Sequence, residues 1–141
     1  MALGITAVDH VQITVPRAKE AEVLHFYRAI LGLSEIPKPE ALRARGGAWF
    51  QTGNVQIHIA LEDHDSPKSK RHVCFLVADL ARARDAATRA GLDIEEGGTA
   101  EGLSRFFVRD PAGNRLEIGQ HAFAKATAAE YGQPAPPKPG A

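Results

Sequence analysis

Four residues with the chemistry of metal ligands stand at related places in the two halves of the chain. His10 lies in a run of alternating apolar and polar residues, and His72 lies in a similar run 62 residues later. His58 and Glu117 form a second such pair, 59 residues apart. Imidazole groups suit divalent transition metals, whereas calcium or magnesium sites need more oxygen ligands. If the fold brings the four positions together, they predict a transition-metal site.

The glutamate of this set follows a turn. The segment 110–114, Asp-Pro-Ala-Gly-Asn, is typical of a tight turn, because proline presets φ and glycine tolerates a positive φ. Apolar residues run into the turn at 106–108 and leave it at Leu116 and Ile118, which predicts a hairpin. Glu117 then points away from Leu116 and Ile118. Its carboxylate must therefore face water, pair with a cation or bind a metal.

The residues around the first histidine predict half of a domain. Strict alternation over 8–15 predicts a strand with an apolar back face and a polar front face that carries His10. Helical spacing of apolar residues over 18–31, followed by Gly32, predicts a helix that packs on the back of this strand. Three further strands are predicted at 33–36, 48–51 and 55–60.

The second half repeats this order. A strand is predicted at 71–77, a helix at 80–90 with Asp79 as its N-cap, a short strand at 93–96, and then the hairpin. The repeat predicts an α+β domain of two tandem βαβββ modules, 5–62 and 70–121, pairing into a cupped, barrel-like mixed sheet with the helices outside. A single strand histidine is more often hydrogen-bonded than metal-bound. The repeated placement of the four residues is what favours a shared site.

Composition narrows the classes of function. The 141 residues have a hydrophobic fraction of 44% and equal numbers of basic and acidic residues, 17 each, which argues against a nucleic-acid partner. We expect one domain over 1–122 and a Pro/Ala/Gly-rich tail over 123–141. No membrane span or signal peptide is expected. The single cysteine, Cys74, favours a reducing compartment, so we predict a cytoplasmic protein.

The motifs resemble those of the vicinal-oxygen-chelate superfamily. This superfamily contains glyoxalase I, methylmalonyl-CoA epimerase, extradiol dioxygenases, fosfomycin-modifying transferases and metal-free bleomycin-binding proteins. The resemblance covers about residues 5–120. It is carried by Asp-His-Val-Gln-Ile-Thr-Val at 9–15, Phe26-Tyr27 with Leu31-Gly32-Leu33, Arg71-His72-Val73, and Asp-Pro-Ala-Gly-Asn-Arg-Leu-Glu at 110–117.

The resemblance implies a ligand set. In metal-dependent members, the ligands are the histidine of the first strand, the histidine that opens the second half and the glutamate after the last turn. These fall on His10, His72 and Glu117. A fourth ligand, where present, comes from the fourth strand, where this chain has His58, glyoxalase I typically has glutamate and the epimerase has glutamine. His58 is therefore expected to be either a fourth ligand or a general base.

Further residues of the predicted front faces are expected to line a substrate pocket. They are Gln12, Thr14, Trp49, Gln51, Gln56, Cys74, Arg105 and Phe107. For three of them another role is open, since Trp49 could belong to the core, Arg105 could be solvated and Cys74 could be a small packing residue.

The resemblance implies a metal-dependent, glyoxalase-like lyase or isomerase that acts on a small oxygen-bearing substrate. The metal, one of Zn, Ni, Co, Mn or Fe(II), would stabilise an enediolate-type oxyanion. Members of this size are commonly homodimers, so a homodimer is expected. The alternatives are an extradiol-type dioxygenase and a metal-free drug-binding protein of the bleomycin-resistance type.

Overall fold

The computed structural model describes residues 2–63, 68–100 and 102–122. The predicted tail at 123–141 lies outside the described residues. The strands are β1 His10–Val15, β2 Ser34–Ile36, β3 Ala48–Thr52, β4 Val55–Leu61, β5 His72–Leu76, β6 Glu95–Ala100, β7 Leu103–Arg109 and β8 Arg115–His121. The α-helices are α1 Glu20–His25, α2 Glu40–Arg43 and α3 Leu80–Arg89. A 3₁₀ turn at Arg17–Lys19 precedes α1, and a π-helical turn at Phe26–Ile30 follows it.

The strands form two open, mixed, four-stranded sheets with the same topology. The first sheet has the order β1-β4-β3-β2 and the second has the order β5-β8-β7-β6. In each sheet the first strand of the module pairs in parallel with the last strand, and the other pairs are antiparallel. The predicted α+β class and the two βαβββ modules are therefore confirmed.

One hydrophobic cluster contains residues from both modules. Its largest members include Tyr27, Phe26 and Phe50 from the first module and Phe106 and Leu116 from the second. The apolar back faces of the strands supply most of this cluster, as the alternating patterns predict. The polar front faces are consequently free to carry the candidate site.

Most predicted boundaries lie within two residues of the observed ones, but two segments differ by more. The strand predicted at 93–96 begins at Glu95 and continues to Ala100, four residues beyond its predicted end. The pairing of β6 with β7 shifts register between Glu96 and Gly98, so a bulge at Gly97 lets the glycine-rich segment remain in the sheet. The other difference is α2, a single helical turn between the strands predicted at 33–36 and 48–51, where no helix is predicted.

Helix α3 is close to its prediction. Asp79 is its N-cap, and the Asp79 side chain accepts a hydrogen bond from the backbone N–H of Arg82 at 3.0 Å. Across the described residues, every helix is too short or too polar to cross a bilayer.

Candidate metal and substrate site

The second sheet brings His72 and Glu117 into direct contact. The Nε2 atom of His72 lies 2.8 Å from Oε2 of Glu117. Glu117 is only 3% exposed, although Leu116 and Ile118 on either side of it enter the core. Alternation along β8 therefore places a carboxylate on the front face, as predicted, and neighbouring side chains cover it.

The hydrogen bonds of His72 define the chemistry of this contact. Its Nδ1 atom lies 2.8 Å from the carbonyl oxygen of Lys70. A carbonyl oxygen can only accept, so Nδ1 must carry the hydrogen. In the neutral imidazole, Nε2 is then a lone pair facing the carboxylate of Glu117. Two acceptors at 2.8 Å need a proton or a metal cation between them.

The other oxygen of Glu117 is held by Arg105. Arg105 Nη1 donates to Oε1 of Glu117 at 3.1 Å, and Arg105 Nε donates to the carbonyl oxygen of Gly97 at 3.3 Å. A Cβ atom at Gly97 would lie 2.7 Å from Cγ of Arg105 and 2.9 Å from the ring of Phe107. The bulge at Gly97 therefore makes room for the side chain that orients Glu117.

The ring of Phe107 lies beside His72, and two guanidinium groups lie near this ring. The guanidinium carbon of Arg115 lies 3.8 Å from the ring centroid, and that of Arg105 lies 5.5 Å from it. The ring of His72 meets Phe107 edge-on at 5.6 Å. Arg115 was not among the predicted pocket residues. The sequence does indicate a pocket position for Arg115, because it precedes Glu117 by two residues and residues two apart lie on the same face of a strand.

The first sheet brings together His10, His58 and Trp49. The ring of His58 is stacked between the other two, 4.2 Å from His10 and 3.8 Å from Trp49. His10 Nδ1 lies 2.8 Å from Oδ2 of Asp9, so it donates to this carboxylate and leaves Nε2 available. A metal-binding histidine usually donates its second ring nitrogen to a carboxylate or a carbonyl, as His10 and His72 do.

His58 is the most buried of the three imidazoles of the predicted set, at 5% exposure. Its Nε2 atom lies 2.9 Å from Oε1 of Gln56. Burial, followed by the electrostatic influence of His10, lowers the pKa of His58; Asp9 opposes this shift and Lys38 adds to it. The lowered pKa of His58 favours the neutral imidazole, the form that a ligand or a general base requires.

A nuclear magnetic resonance titration of the metal-free protein should show this effect. We expect the midpoint of His58 below its ordinary value of 6.5. In Trp49→Ala the midpoint should move upward, because one face of the ring becomes hydrated. As a control, His25→Ala, a substitution at an exposed histidine, should leave the His58 midpoint unchanged. A parental midpoint at or above 6.5 would contradict the burial argument.

The four predicted ligands are thus brought together in two pairs. His10 meets His58 on the first sheet, and His72 meets Glu117 on the second. Within residues 2–63, 68–100 and 102–122, no group of three or more His, Cys, Asp or Glu side chains is placed to hold a metal. The complete ligand set stays a prediction.

The sequence model of the glyoxalase/bleomycin resistance protein/dioxygenase superfamily matches residues 7–118. The chain belongs to this superfamily. The resemblance predicted from the sequence motifs is therefore confirmed.

Individual members of the superfamily show the same relationship. A glyoxalase family protein from Bacillus anthracis is 36% identical, with a TM-score of 0.78 over 86% of this chain and 99% of that one. The protein Glyoxylase I 4 of Arabidopsis thaliana is 28% identical over 129 residues, 82% of this chain and 71% of that protein. A lactoylglutathione lyase from Agrobacterium tumefaciens, 19% identical with a TM-score of 0.65 over 86% of this chain and 98% of that one, shares the fold.

The remaining predicted pocket residues are distributed over both sheets of the superfamily fold. Gln12 and Thr14 line a cavity of about 380 Å³ that His72 and Arg115 also line. Gln51 bonds locally, to the carbonyl oxygen of Gly53 at 2.8 Å. Cys74 lines a separate cavity of about 600 Å³ between the edges of the sheets. Burial, followed by the charge of Glu117, raises the pKa of the Cys74 thiol, so a thiolate nucleophile is not favoured there.

Proposed function

We propose that this protein is a metal-dependent lyase or isomerase of the superfamily, acting on a small oxygen-bearing substrate. The metal would be held by His10, His72 and Glu117, with His58 as a fourth ligand or as the general base. The observation that carries this proposal is the contact of 2.8 Å between His72 Nε2 and Glu117 Oε2. Nδ1 of His72 is hydrogen-bonded to Lys70, and Oε1 of Glu117 is hydrogen-bonded to Arg105. The lone pairs of Nε2 and Oε2, which face each other, therefore fit a divalent cation.

The donor set favours a transition metal. Three imidazoles and one carboxylate suit Zn, Ni, Co, Mn or Fe(II) rather than calcium. Bound there, the metal would supply Lewis acidity for an enediolate-type oxyanion of the substrate. Arg105 fixes the carboxylate of Glu117 through a contact of 3.1 Å, and the stack with Trp49 fixes the ring of His58. These contacts preorganise the ligands before substrate binds.

The separation of the ligands into two pairs supports a homodimer. In each sheet the module's first strand, β1 or β5, lies at an edge with one neighbour. Large apolar side chains are exposed nearby, with Val8 at 58% and Leu76 at 43%. Open edges with apolar side chains favour pairing with another chain. We propose that a second copy brings its His72–Glu117 pair to the His10–His58 pair of the first.

One further reaction fits the same residues. Two histidines and one carboxylate around Fe(II) form the ligand set of non-haem oxygenases, and the chain supplies such a set in His10, His72 and Glu117. Dioxygenase chemistry is therefore the second candidate. The names of the relatives from Arabidopsis and Agrobacterium support the lyase as the first candidate.

Elemental analysis tests this function directly. Protein purified without chelators or an affinity metal column should contain about one equivalent of transition metal per chain. Glu117→Gln should lose the metal, whereas His25→Ala, a substitution at an exposed histidine, should keep it. Oxygen uptake by the Fe(II) form would favour the dioxygenase over the lyase. If the parent binds none of Zn, Ni, Co, Mn or anaerobic Fe(II), the proposal is wrong and a metal-free binding protein remains.

A further inference from the structure

The second sheet contains an unpaired nitrogen, in the side chain of Arg115. The Nε atom of Arg115 is buried and has no hydrogen-bond partner, and no other buried side-chain nitrogen or oxygen of the described residues shares this property. The Arg115 side chain is only 13% exposed. A buried donor without an acceptor is destabilising, and such groups commonly pair with water or a ligand. The structure therefore leaves one strong donor for a missing acceptor.

The position of Arg115 places this donor beside the proposed metal site. Arg115 opens β8 and is the Cα partner of His72 on β5. It also precedes Glu117 by two residues, so both side chains leave the same face of the strand. The guanidinium is kept in place by its contact of 3.8 Å with the ring of Phe107. Arg115 and His72 consequently line the same cavity, and His72 in turn contacts Glu117.

The one acceptor that Arg115 does have is weakly held. Arg115 Nη2 donates to Oε1 of Glu95 at 3.1 Å, and the Glu95 side chain is 65% exposed. Solvent around the exposed Glu95 carboxylate screens this ion pair, so it contributes little to stability. Glu95 can therefore leave when a better-placed anion arrives. The Nε–Nη2 edge would then present two parallel N–H donors, the arrangement that binds a carboxylate bidentately.

A cavity of about 490 Å³ adjoins this edge. Arg115, Arg109 and Lys68 contribute three positive charges to its lining, and Asp93, Glu95 and Asp110 contribute three carboxylates. Of these carboxylates, Asp110 is buried and its oxygens accept hydrogen bonds from protein groups. Arg109 Nη1 donates to the carbonyl oxygens of Ser69 and Gly113, at 3.2 and 2.8 Å. The cavity is thus large enough for a small acid, and its positive and negative charges balance in number, so the unpaired donor of Arg115 is what favours an anion there.

We propose that Arg115 binds a carboxylate of the substrate, which makes the substrate a small oxygenated carboxylic acid. The inference rests on the proposed function, because it identifies the substrate class of the same site. The acid would displace Glu95 from Arg115 and direct its remaining oxygens toward His72, which lines the cavity of about 380 Å³ together with Arg115. Arg115 thereby determines specificity, and Glu95 acts as a competitor for the same guanidinium.

Binding of malonate to the metal-free protein tests this proposal, and isothermal titration provides the measurement. Arg115→Gln should raise the Kd for malonate about tenfold or more, because the bidentate pair is lost. Arg115→Lys should raise it by less, since the charge remains without the planar fork. Glu95→Gln should lower the Kd, because the competing carboxylate is gone. Arg82→Gln, a substitution at an exposed arginine of α3, should leave the Kd unchanged.

Several outcomes would overturn the inference. They are the absence of malonate binding by the parent, equal affinity in Arg115→Gln when its circular dichroism spectrum is native, and binding of inorganic phosphate in preference to malonate. Uncharged malonamide should not bind, which shows that the interaction is with the anion. No metal is present in these titrations, so failure of the proposed metal site would not change their result.

Discussion

Co-expression of a His10→Ala chain with a Glu117→Gln chain is expected to restore metal binding that neither variant shows alone. The first variant keeps an intact His72–Glu117 pair, and the second keeps an intact His10–His58 pair. If each site takes one pair from each of two chains, a mixed dimer contains one complete site and one doubly defective site. Random mixing then gives about a quarter of the parental metal content.

A matched pair of variants separates this result from simple reassociation. His72→Ala and Glu117→Gln both alter the second sheet, so their mixed dimer has no complete site. We expect no recovery of metal from that mixture. Elemental analysis after removal of free metal measures both mixtures, and size-exclusion chromatography establishes that dimers have formed. If the His10→Ala and Glu117→Gln mixture stays metal-free while the parent binds metal, completion of the site by a second copy is wrong.

The elements around the candidate site could be predicted because their signals are local. Alternation over residues 8–15 places His10 on the polar face of β1, and the segment 110–114 closes the hairpin that carries Glu117. The repeat of the whole pattern then predicts two equivalent modules. The strand and turn predictions depend on neighbours within about ten residues, over which side-chain periodicity is a reliable guide, and the repeat extends them to the second module.

The arrangement of the two modules was not predictable in the same way. The sequence leaves open whether the modules pair within one chain or between two, and the structure places the four candidate ligands in two separate pairs. Packing of the back faces into one shared core decides this arrangement, and no local pattern records it. Arg115 was missed for a related reason, because its buried Nε is apparent only once Phe107 and Glu95 surround it.

The strand β6 shows how tertiary pairing overrides local preference. Glycines at 97 and 98 favour a loop, yet β6 continues past them because its partner β7 satisfies the backbone hydrogen bonds on both sides of the bulge. The absence of a side chain at Gly97 is also what admits Arg105 to its contact with Glu117. The residue that seemed to interrupt the sheet therefore contributes to the site.

Asp110→Ala is expected to lower the free energy of unfolding by about 3–5 kcal/mol, because several buried donors lose their acceptor at once. Asp110 is 4% exposed. Its Oδ1 accepts from the backbone N–H groups of Ala112 and Asn114, both at 2.9 Å. Its Oδ2 accepts from the Tyr27 hydroxyl and the Asn114 side chain, also at 2.9 Å. Urea denaturation measures the change.

Two control variants, Tyr27→Phe and Asp85→Ala, provide the costs with which the Asp110→Ala cost is compared. Tyr27→Phe removes only one of the donors and should cost about 1–2 kcal/mol. Asp85→Ala, at an exposed position of α3, should change stability by less than about 0.5 kcal/mol. Burial, followed by the charge of Asp110, raises the pKa of the Tyr27 hydroxyl well above its usual value, so this group remains a donor. An Asp110→Ala cost below that of Tyr27→Phe would contradict the expectation.

The same bonds connect stability to the proposed site. Tyr27 belongs to the helical segment of the first module, and Asp110 begins the turn that leads to Glu117 in the second. Asn114 extends the link, because its Nδ2 donates to the carbonyl oxygen of Thr14 at 3.3 Å. These bonds hold the turn against the first module, and β8, which carries Glu117, follows directly after the turn. In Asp110→Ala we accordingly expect weaker metal binding than in Asp85→Ala, even under conditions where both proteins are fully folded.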